Sequence, residues 1–471
     1  MSHFRCAASQ VPAALLCLIL IGWVGTSCTS ITPTTVDVEA ALEIAEIDTF
    51  NNALSDGSTD LPPRVNLAMA KSAALQRNPD LDVTRSRIRT AMARARQAAA
   101  AFYPTVRADF AISHVQDVAG NEFPVPERIE FYNPKLSFEW LAYDGYRRQL
   151  DEVAAKYSVE TAAAAHEDAQ RILLGAVARA FYTAALARDR MRVATADREF
   201  NTRLLDETEK EHKASIASRT DVNNFRLRLN NANVVLINAT RDHDVALAVL
   251  AELLGAPSAD LAKRIDLDVA FESVLARPVP EFGSELATAR ERRADLRELA
   301  ARMAELKARH DAAVQAQLPT VRIAGDVGIS SQDNLKFRQE EQSSSVAVIA
   351  SWDLFTGGAK TAVIDITATE YDTAVKQLRD RYEAIVAEVR QRQPVITSAR
   401  ATYETQRDSV RLAREIREDV EKEYRAGIAR LTRLNEAQRD LNIAELNLAL
   451  SQTVLLQAYS DLDTATGRVL D

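Results

Sequence analysis

Glycine, proline and cysteine are all scarce in this 471-residue chain. It has 14 glycines, 14 prolines and 3 cysteines, and aromatic residues make up only 6% of it. Because glycine and proline interrupt helices, their scarcity between segments rich in Ala, Leu, Arg and Glu favours long helices. The length alone would allow two or three ordinary domains.

Several motifs that carry chemistry are also missing. The sequence has no HExxH zinc motif, no GxSxG nucleophile elbow and no glycine-rich phosphate loop, and its 6 histidines are scattered. No basic stripe with interleaved aromatic residues accompanies the formal net charge of -9, so nothing indicates a nucleic-acid partner. We therefore expect no catalytic residues, no metal site, no cofactor and no enzymatic activity.

The N-terminal segment 1–27 has the pattern of a secretory signal peptide. A basic residue precedes an apolar stretch from Val11 to Val24, and small residues follow it. Removal of this segment takes Cys6 and Cys17 with it and leaves Cys28 as the only cysteine, so no internal disulfide can form.

Residues 24–28 resemble a bacterial lipobox, in which the cysteine is lipidated and becomes the new N-terminus. Gly25 departs from that pattern, and an ordinary cleavage before Cys28 also fits. A lone cysteine at the new N-terminus favours a lipid anchor. Thr29 in place of Asp fits sorting to the outer membrane, as bacterial lipoproteins generally behave.

A pattern of helix, strand and strand occurs twice, with Pro104 and Pro319 at equivalent positions 215 residues apart. Alternating apolar and polar residues predict strands at about 104–115 and 134–144, and again at about 319–330 and 345–356. The predicted organisation is a signal peptide at 1–27, a leader at 28–63, a first repeat at 64–255, a linker or equatorial segment at 256–283, and a second repeat at 284–471.

Each predicted strand has one apolar and one polar face. This alternation suits a strand that crosses a bilayer beside a water-filled lumen, and it also suits the edge hairpin of a soluble sheet. A tryptophan followed by another aromatic residue near the end of each returning strand favours the membrane alternative. On that alternative seven charged residues would face the lumen: Arg107, Asp109, Lys135, Glu139, Arg322, Asp326 and Asp353. Four strands cannot close a membrane barrel, so partner subunits are required.

Two long helices are predicted at about 146–213 and 359–425, each on the order of 100 Å in length. Two shorter helical stretches in each repeat sum to one long helix, so they would stack end to end beside it. Leucines at every seventh residue from Leu434 to Leu455 indicate a coiled-coil seam. Pro394 predicts a kink in the second long helix.

The doubled Pro-Thr-Val-Arg strands, the segments Trp140–Gly145 and Trp352–Gly358, and the turns Lys-Ala-Ser-Ile and Arg-Ala-Gly-Ile make the chain resemble the TolC-like outer membrane factor family. The resemblance covers residues from about 60 to 471. It implies a mainly α fold with a membrane β-barrel part. Two tandem repeats, each a long helical hairpin plus a β-hairpin, would form a trimer with a twelve-strand barrel on an α-helical periplasmic tunnel.

The same resemblance implies an outer membrane channel of a tripartite efflux or type I secretion system. Such a channel is a passive, gated exit duct for small molecules or proteins, and its partners are an inner membrane pump and a periplasmic adaptor. It lies in the lipid of the cell outer membrane and extends into the periplasm. The alternative is a periplasmic adaptor or a structural coiled-coil lipoprotein, although an adaptor would carry one helical hairpin flanked by small β domains.

The resemblance places two sets of site residues at the turns between long and short helices. The adaptor-contacting tips would be Ser215, Ile216, Ala217, Gly427, Ile428, Ala429 and Leu431, and the gate candidates are Asp221, Arg433 and Glu436. Related channels often place an acidic ring above the tips, and the Arg433 that matches Asp221 departs from that pattern. Pairing of Asp221 with Arg433 between adjacent hairpins is the hypothesis for a latch.

Overall fold

The computed structural model describes residues 63–115, 129–256, 265–332 and 342–470, which all belong to one compact unit spanning residues 59–471. The predicted signal peptide, almost all of the predicted leader, Cys28 and the segments 116–128 and 333–341 between strands lie outside the described residues. Within the described ranges, no helix combines the length and the apolar character needed to cross a membrane.

One antiparallel sheet contains both predicted hairpins. Its strands follow the order β2–β3–β5–β7, and a short strand, β6, also pairs with β3. The bounds are β2 Thr105–Val115, β3 Ile129–Tyr143, β5 Thr320–Ile329, β6 Ser331–Gln332 and β7 Gln342–Ser351. A separate parallel pair, β1 Arg64–Asn66 and β4 Asp266–Asp268, joins the start of the first repeat to the equatorial segment.

Three strand boundaries were predicted wrongly. β3 begins at Ile129 instead of about 134, because Pro134 lies within the strand opposite Phe110 and the ladder continues past it. β7 begins at Gln342 instead of about 345 and ends at Ser351 instead of about 356. The chain leaves the sheet at Trp352, whose indole Nε1 donates a hydrogen bond to the Gln317 carbonyl at 3.0 Å.

Nine α-helices account for most of the described residues. Their bounds are α1 Leu67–Arg77, α2 Pro79–Ala100, α3 Arg147–Lys213, α4 Arg219–Leu253, α5 Phe271–Leu275, α6 Phe282–Arg292, α7 Ala294–Gln315, α8 Ala359–Arg425 and α9 Leu431–Thr466, and a 3-10 turn follows at Arg468–Leu470. The two long helices, α3 and α8, have 67 residues each, as the sequence pattern predicted. α8 continues as one helix through Pro394.

The short helices of each repeat meet end to end beside the long helix. At the junction of α1 and α2, the Asn78 side chain donates a hydrogen bond to the Leu253 carbonyl of α4 at 3.1 Å. At the junction of α6 and α7, the Arg293 guanidinium donates to the Ala465 carbonyl of α9 at 2.9 Å. The same contact therefore occurs in both repeats, and the predicted stacking of short helices is confirmed.

The break between α6 and α7 was not predicted, because the proline that ends α1 has no counterpart there. Arg293 adopts an extended backbone with φ -72° and ψ 119°, close to φ -70° and ψ 122° at Asn78. Its side chain is buried and forms ion pairs with Asp295 at 2.7 Å and with Glu388 at 2.8 Å. A buried, fully paired arginine thus accompanies the backbone turn that proline favours in the first repeat.

Apolar contacts hold the helices together at three levels. The largest cluster lies where α1, α3 and α4 meet, around Phe181 and Leu250, and a second lies between α8 and α9 around Tyr459. The third joins both helical hairpins near the turns. Along α9 the predicted seam is buried at Leu434, Leu441 and Leu455, and at Ala437, Ala444, Ser451 and Ala458. Small residues at these positions let the helices approach closely.

Candidate channel surfaces

The polar face of the four-stranded sheet carries cross-strand ion pairs. Lys135 on β3 lies 3.5 Å from Asp326 on β5, and Arg322 on β5 lies 3.1 Å from Glu139 on β3. On β7, the Ser345 hydroxyl donates a hydrogen bond to the Asp326 carboxylate at 2.5 Å. Opposite charges on facing strands stabilise a sheet and reduce the net charge of its face.

Strand β2 extends this polar face. Asp109 lies directly opposite Lys135, and Arg107 lies opposite Ser137. Six of the seven predicted lumen-facing residues therefore lie in strands of one sheet: Arg107, Asp109, Lys135, Glu139, Arg322 and Asp326.

Asp353 is the exception. It lies two residues beyond the end of β7, in the turn before α8, and its carboxylate is 3.2 Å from the Lys360 ammonium at the start of that helix. The prediction that Asp353 belongs to a strand is wrong, because β7 ends where Trp352 bonds to Gln317.

The opposite face of the sheet is apolar. Val106, Phe138, Gly325 and Val346 form one row across the four strands. The Phe138 ring covers Gly325, where an added Cβ would lie 2.4 Å from the ring. Val106 and Val346 are exposed, so the part of the chain that the structure describes does not cover this face at these two strands. A sheet that is apolar on one face and charged on the other suits contact with lipid on the first face and with water on the second.

Two tryptophans fix the sheet to the helices below it. The Trp140 indole donates to the Phe102 carbonyl at 3.0 Å, and the Trp352 indole donates to the Gln317 carbonyl at the same distance. Both indoles are exposed on the apolar side, where tryptophan suits the boundary between lipid and water.

At the far end of the helices, two turns with the same geometry connect α3 to α4 and α8 to α9. Ser215 and Gly427 adopt left-handed backbone conformations, with φ of 62° and 73°. The Ile216 amide donates to the Glu211 carbonyl at 2.8 Å, and the Ile428 amide donates to the Glu423 carbonyl at 2.9 Å. These are the hydrogen bonds of a Schellman helix end.

The predicted tip residues are divided by these turns. Ser215, Ile216, Gly427 and Ile428 are exposed, and the two isoleucines each show 77% of their surface to solvent. Ala217, Ala429 and Leu431 are half-buried, and the latter two pack against the cluster that joins the hairpins. The isoleucines are therefore the apolar side chains that the tips present outward.

The gate candidates have partners that the sequence did not reveal. Asp221 and Ser218 form a capping box: the Ser218 hydroxyl accepts from the Asp221 amide at 3.1 Å, and the Asp221 carboxylate accepts from the Ser218 amide at 3.2 Å. Arg433 forms an ion pair with Glu423 at 3.1 Å. Glu436 is exposed.

Within the single chain, Asp221 and Arg433 are each held by a neighbour in their own hairpin, and a latch between adjacent hairpins stays a prediction. Glu423 corresponds to Glu211 in the first repeat, where the position of Arg433 is taken by Asp221. In the first repeat, the carboxylates of Glu211 and Asp221 would repel each other at these positions. The cap at Ser218 gives Asp221 another partner.

Tyr424 lies near acidic residues of the helical hairpin α3–α4. The sequence analysis did not predict this position. Burial raises the pKa of its hydroxyl, and the charges of Glu211, Glu207 and Asp221 raise it further. Tyr424 aligns with His212 in the first repeat, and this difference between otherwise similar turns was the one available signal. In the described ranges, no group of three or more His, Cys, Asp or Glu side chains could hold a metal ion.

Comparison with known proteins agrees with this architecture. Protein CyaE of Bordetella pertussis is 26% identical over 376 residues, which cover 79% of this chain and 78% of CyaE. The crystal structure of the Campylobacter jejuni CmeC outer membrane channel aligns with a TM-score of 0.75 at 14% identity, over 85% of both chains. The open-state MtrE outer membrane channel of Neisseria gonorrhoeae aligns with a TM-score of 0.71 at 19% identity, over 85% of this chain and 88% of MtrE.

Both repeats also match a family profile. The family described as "Outer membrane efflux protein" matches residues 70–256 and 286–468, which together form most of the chain. TolC-like channels of this fold are trimers that extend from the outer membrane into the periplasm and work with adaptor proteins and inner membrane pumps. The chain belongs to the outer membrane efflux protein family.

Proposed function

We propose that three copies of this chain form a passive, gated exit duct across the outer membrane, and that the chain catalyses no reaction. The observation that carries the proposal is the two-faced sheet, whose outer strands β2 and β7 have no further strand partner among the described residues. Unpaired strand edges cannot remain exposed in a bilayer, so strands from other copies must close the sheet. Energy for transport would come from an inner membrane pump.

The charged face of the sheet would line the water-filled lumen. Ion pairs such as Lys135–Asp326 cost little in water, whereas a lysine or arginine facing lipid at the middle of the bilayer costs roughly 2–4 kcal/mol. Placing Arg107, Asp109, Lys135, Glu139, Arg322 and Asp326 inside the barrel and the valine-rich face outside therefore minimises the free energy. Asp353 would line the lumen at the base of the barrel.

Adjacent positions on β2 test this assignment. Asp109→Cys would place a thiol on the lumen face and Ala108→Cys would place one on the lipid face. We expect an anionic, membrane-impermeant methanethiosulfonate to change the current through Asp109→Cys channels in a planar bilayer and to leave Ala108→Cys channels unchanged. Equal responses, or a response of Ala108→Cys alone, would show that the faces are assigned wrongly.

The exposed isoleucines at the tips would contact a periplasmic adaptor. Ile216 and Ile428 sit on matching turns, so each copy would present two similar apolar contacts, flanked by Ser215, Ala217, Gly427, Ala429 and Leu431. A photo-crosslinking amino acid at Ile428 should capture an adaptor in cells, while one at Leu412, an exposed position within α8, should not. Capture at Leu412 alone would place the contact on the helices instead.

Asp221, Arg433 and Glu436 remain our candidates for gating, and we add Tyr424 because its hydroxyl lies near the charges of Glu211, Glu207 and Asp221. The ion pair of Arg433 with Glu423 links α9 to α8, and the capping box of Asp221 with Ser218 fixes the start of α4. We also propose that residues 1–27 are removed and that lipidated Cys28 anchors the chain at the outer membrane. The leader, linker and repeat boundaries given above are proposals as well.

A further inference from the structure

The two β-hairpins have the same pairing register when one repeat is shifted onto the other. A shift of 215 residues relates β2 to β5, and a shift of 212 relates β3 to β7, so that the pair Val106–Phe138 becomes Val321–Ala350. The tryptophan hydrogen bonds to Phe102 and Gln317 obey the same two shifts. The chain therefore has an internal pseudo-symmetry, and the junction of β3 with β5 is one step of it.

We propose that a second copy of the chain repeats this step: its β2 pairs with β7 of the first copy in the register that β5 takes on β3. The inference rests on the proposed trimer and goes further, because it assigns the facing residues of the seam. The observed pairs Lys135–Gly328 and Ser137–Asp326 become Ala347 opposite Ser113 of the second copy, and Ile349 opposite Ala111 of the second copy.

The turn after β7 is open where the equivalent turn after β3 is covered. Tyr143 at the end of β3 is 38% exposed, whereas its equivalent, Phe355, is 89% exposed. If pairing with the second copy extends β7 past Ser351, the shifted register places Phe355 beside Val106 of the second copy, as Tyr143 lies opposite Val321 within the chain. A second copy would therefore cover an aromatic side chain that one copy leaves in solvent.

The glycines of the two turns show the same difference. An added Cβ at Gly145 would lie 2.9 Å from Leu318, whereas no atom lies within 4 Å of one at the equivalent Gly357. The residue equivalent to Leu318 is Tyr103, which is exposed in the single chain. The seam brings Tyr103 of the second copy into the open space at Gly357.

Charges are complementary across the seam. Within the chain, Arg297 on α7 forms an ion pair with Glu167 on α3. The same shifts place Asp82 of the second copy beside Arg379, so the signs are exchanged and the attraction is kept. If pairing with the second copy extends β7 past Ser351, Arg322 opposite Leu141 likewise becomes Arg107 of the second copy opposite Asp353. These opposite charges would be brought together on the lumen side.

Between the helices, an apolar contact across the seam would replace a polar contact that occurs within the chain. Gln457 on α9 donates to Thr183 on α3 at 3.4 Å. The equivalents of these residues are Val245 and Val395, both of which are exposed in the single chain. Their meeting across the seam would remove two apolar side chains from water.

Cysteine pairs on β2 and β7 test the register. Directly opposite residues in antiparallel strands have Cα atoms about 4.5–5.5 Å apart, within reach of a disulfide, whereas a slip of two residues adds about 7 Å along the strand and exceeds that reach. We therefore compare Ala347→Cys/Ser113→Cys with Ala347→Cys/Ala111→Cys. Both pairs place small residues on the lumen face, and the three single-cysteine variants control for Cys28.

After oxidation in membranes, Ala347→Cys/Ser113→Cys should run as a covalent trimer on a non-reducing gel, and Ala347→Cys/Ala111→Cys should run as a monomer. Crosslinking of the second pair alone would overturn the register. If neither pair crosslinks although native mass spectrometry finds a trimer, the seam lies elsewhere. A monomeric mass for the unsubstituted chain would instead overturn the proposed trimer itself.

Discussion

Arg293 and Asp295 form a buried ion pair at the junction of α6 and α7. The Arg293 side chain is 1% exposed, and Asp295 also lies 2.6 Å from the Arg381 guanidinium. Burial alone would raise the pKa of the Asp295 carboxyl, but the hydrogen bonds and charges of Arg293 and Arg381 lower it from 3.8 to about 2. The folded protein therefore binds a proton at Asp295 less readily than the unfolded chain does.

This pKa sets a pH dependence of stability. The contribution of Asp295 to the free energy of unfolding is fully present above pH 3.8 and is lost as the pH falls through about 2. A difference of nearly two pKa units corresponds to about 2 kcal/mol. We expect the thermal midpoint of the detergent-solubilised protein to fall between pH 5 and pH 2.5, and Asp295→Asn to have a lower midpoint at pH 5 but a smaller fall. An equal fall in both proteins would contradict the assignment.

Single residues were the hardest features to predict from the sequence. The break at Arg293 carries no proline or glycine, and its cause is a set of ion pairs with residues as distant in sequence as Glu388. The acidic surroundings of Tyr424 come from the other hairpin of the same chain. Such contacts depend on tertiary structure, so local patterns do not report them.

The turns between long and short helices differ in how the following helix begins. α4 starts with the capping box of Ser218 and Asp221, whereas α9 starts after Arg430, which makes no side-chain hydrogen bond to the helix end. Serine caps contribute about 1 kcal/mol, and arginine at the equivalent position has no such role.

Ser218→Ala should therefore loosen the start of α4. We expect faster amide hydrogen exchange over residues 219–223, by about fivefold for a loss of about 1 kcal/mol. Arg430→Ala is the matched control at the equivalent position and should leave exchange at the start of α9 unchanged. If both substitutions had the same effect, the capping box would have no special role in the tip.

Elements were predicted more reliably than residues. The long helices and the four strands follow from periodicity that extends over ten or more residues, and among the strand boundaries those at Ile129, Gln342 and Ser351 were misplaced. The β1–β4 pair was missed because three residues per strand carry no readable alternation. The polar face of the sheet was predicted from the same alternation, and the structure adds which charges pair across it.

At the scale of the whole molecule, the repeat explains why one chain presents four strands and two long helical hairpins. Each repeat places a two-faced β-hairpin at one end of a long helix and an apolar turn at the other. The fold thus connects a surface suited to lipid with tips suited to a protein partner. A continuous water-filled path between them is what the family membership and this arrangement together require of the assembled channel.

Single-channel recording of the purified full-length chain in a planar lipid bilayer tests this path most directly. We predict discrete current steps from a trimer, with a small conductance for most of the time if the proposed gate residues keep the tips closed. Glu423→Gln, which removes the partner of Arg433, should increase the fraction of time in a larger conductance. A protein that reconstitutes into the bilayer as a trimer and passes no current under either condition would contradict the channel function.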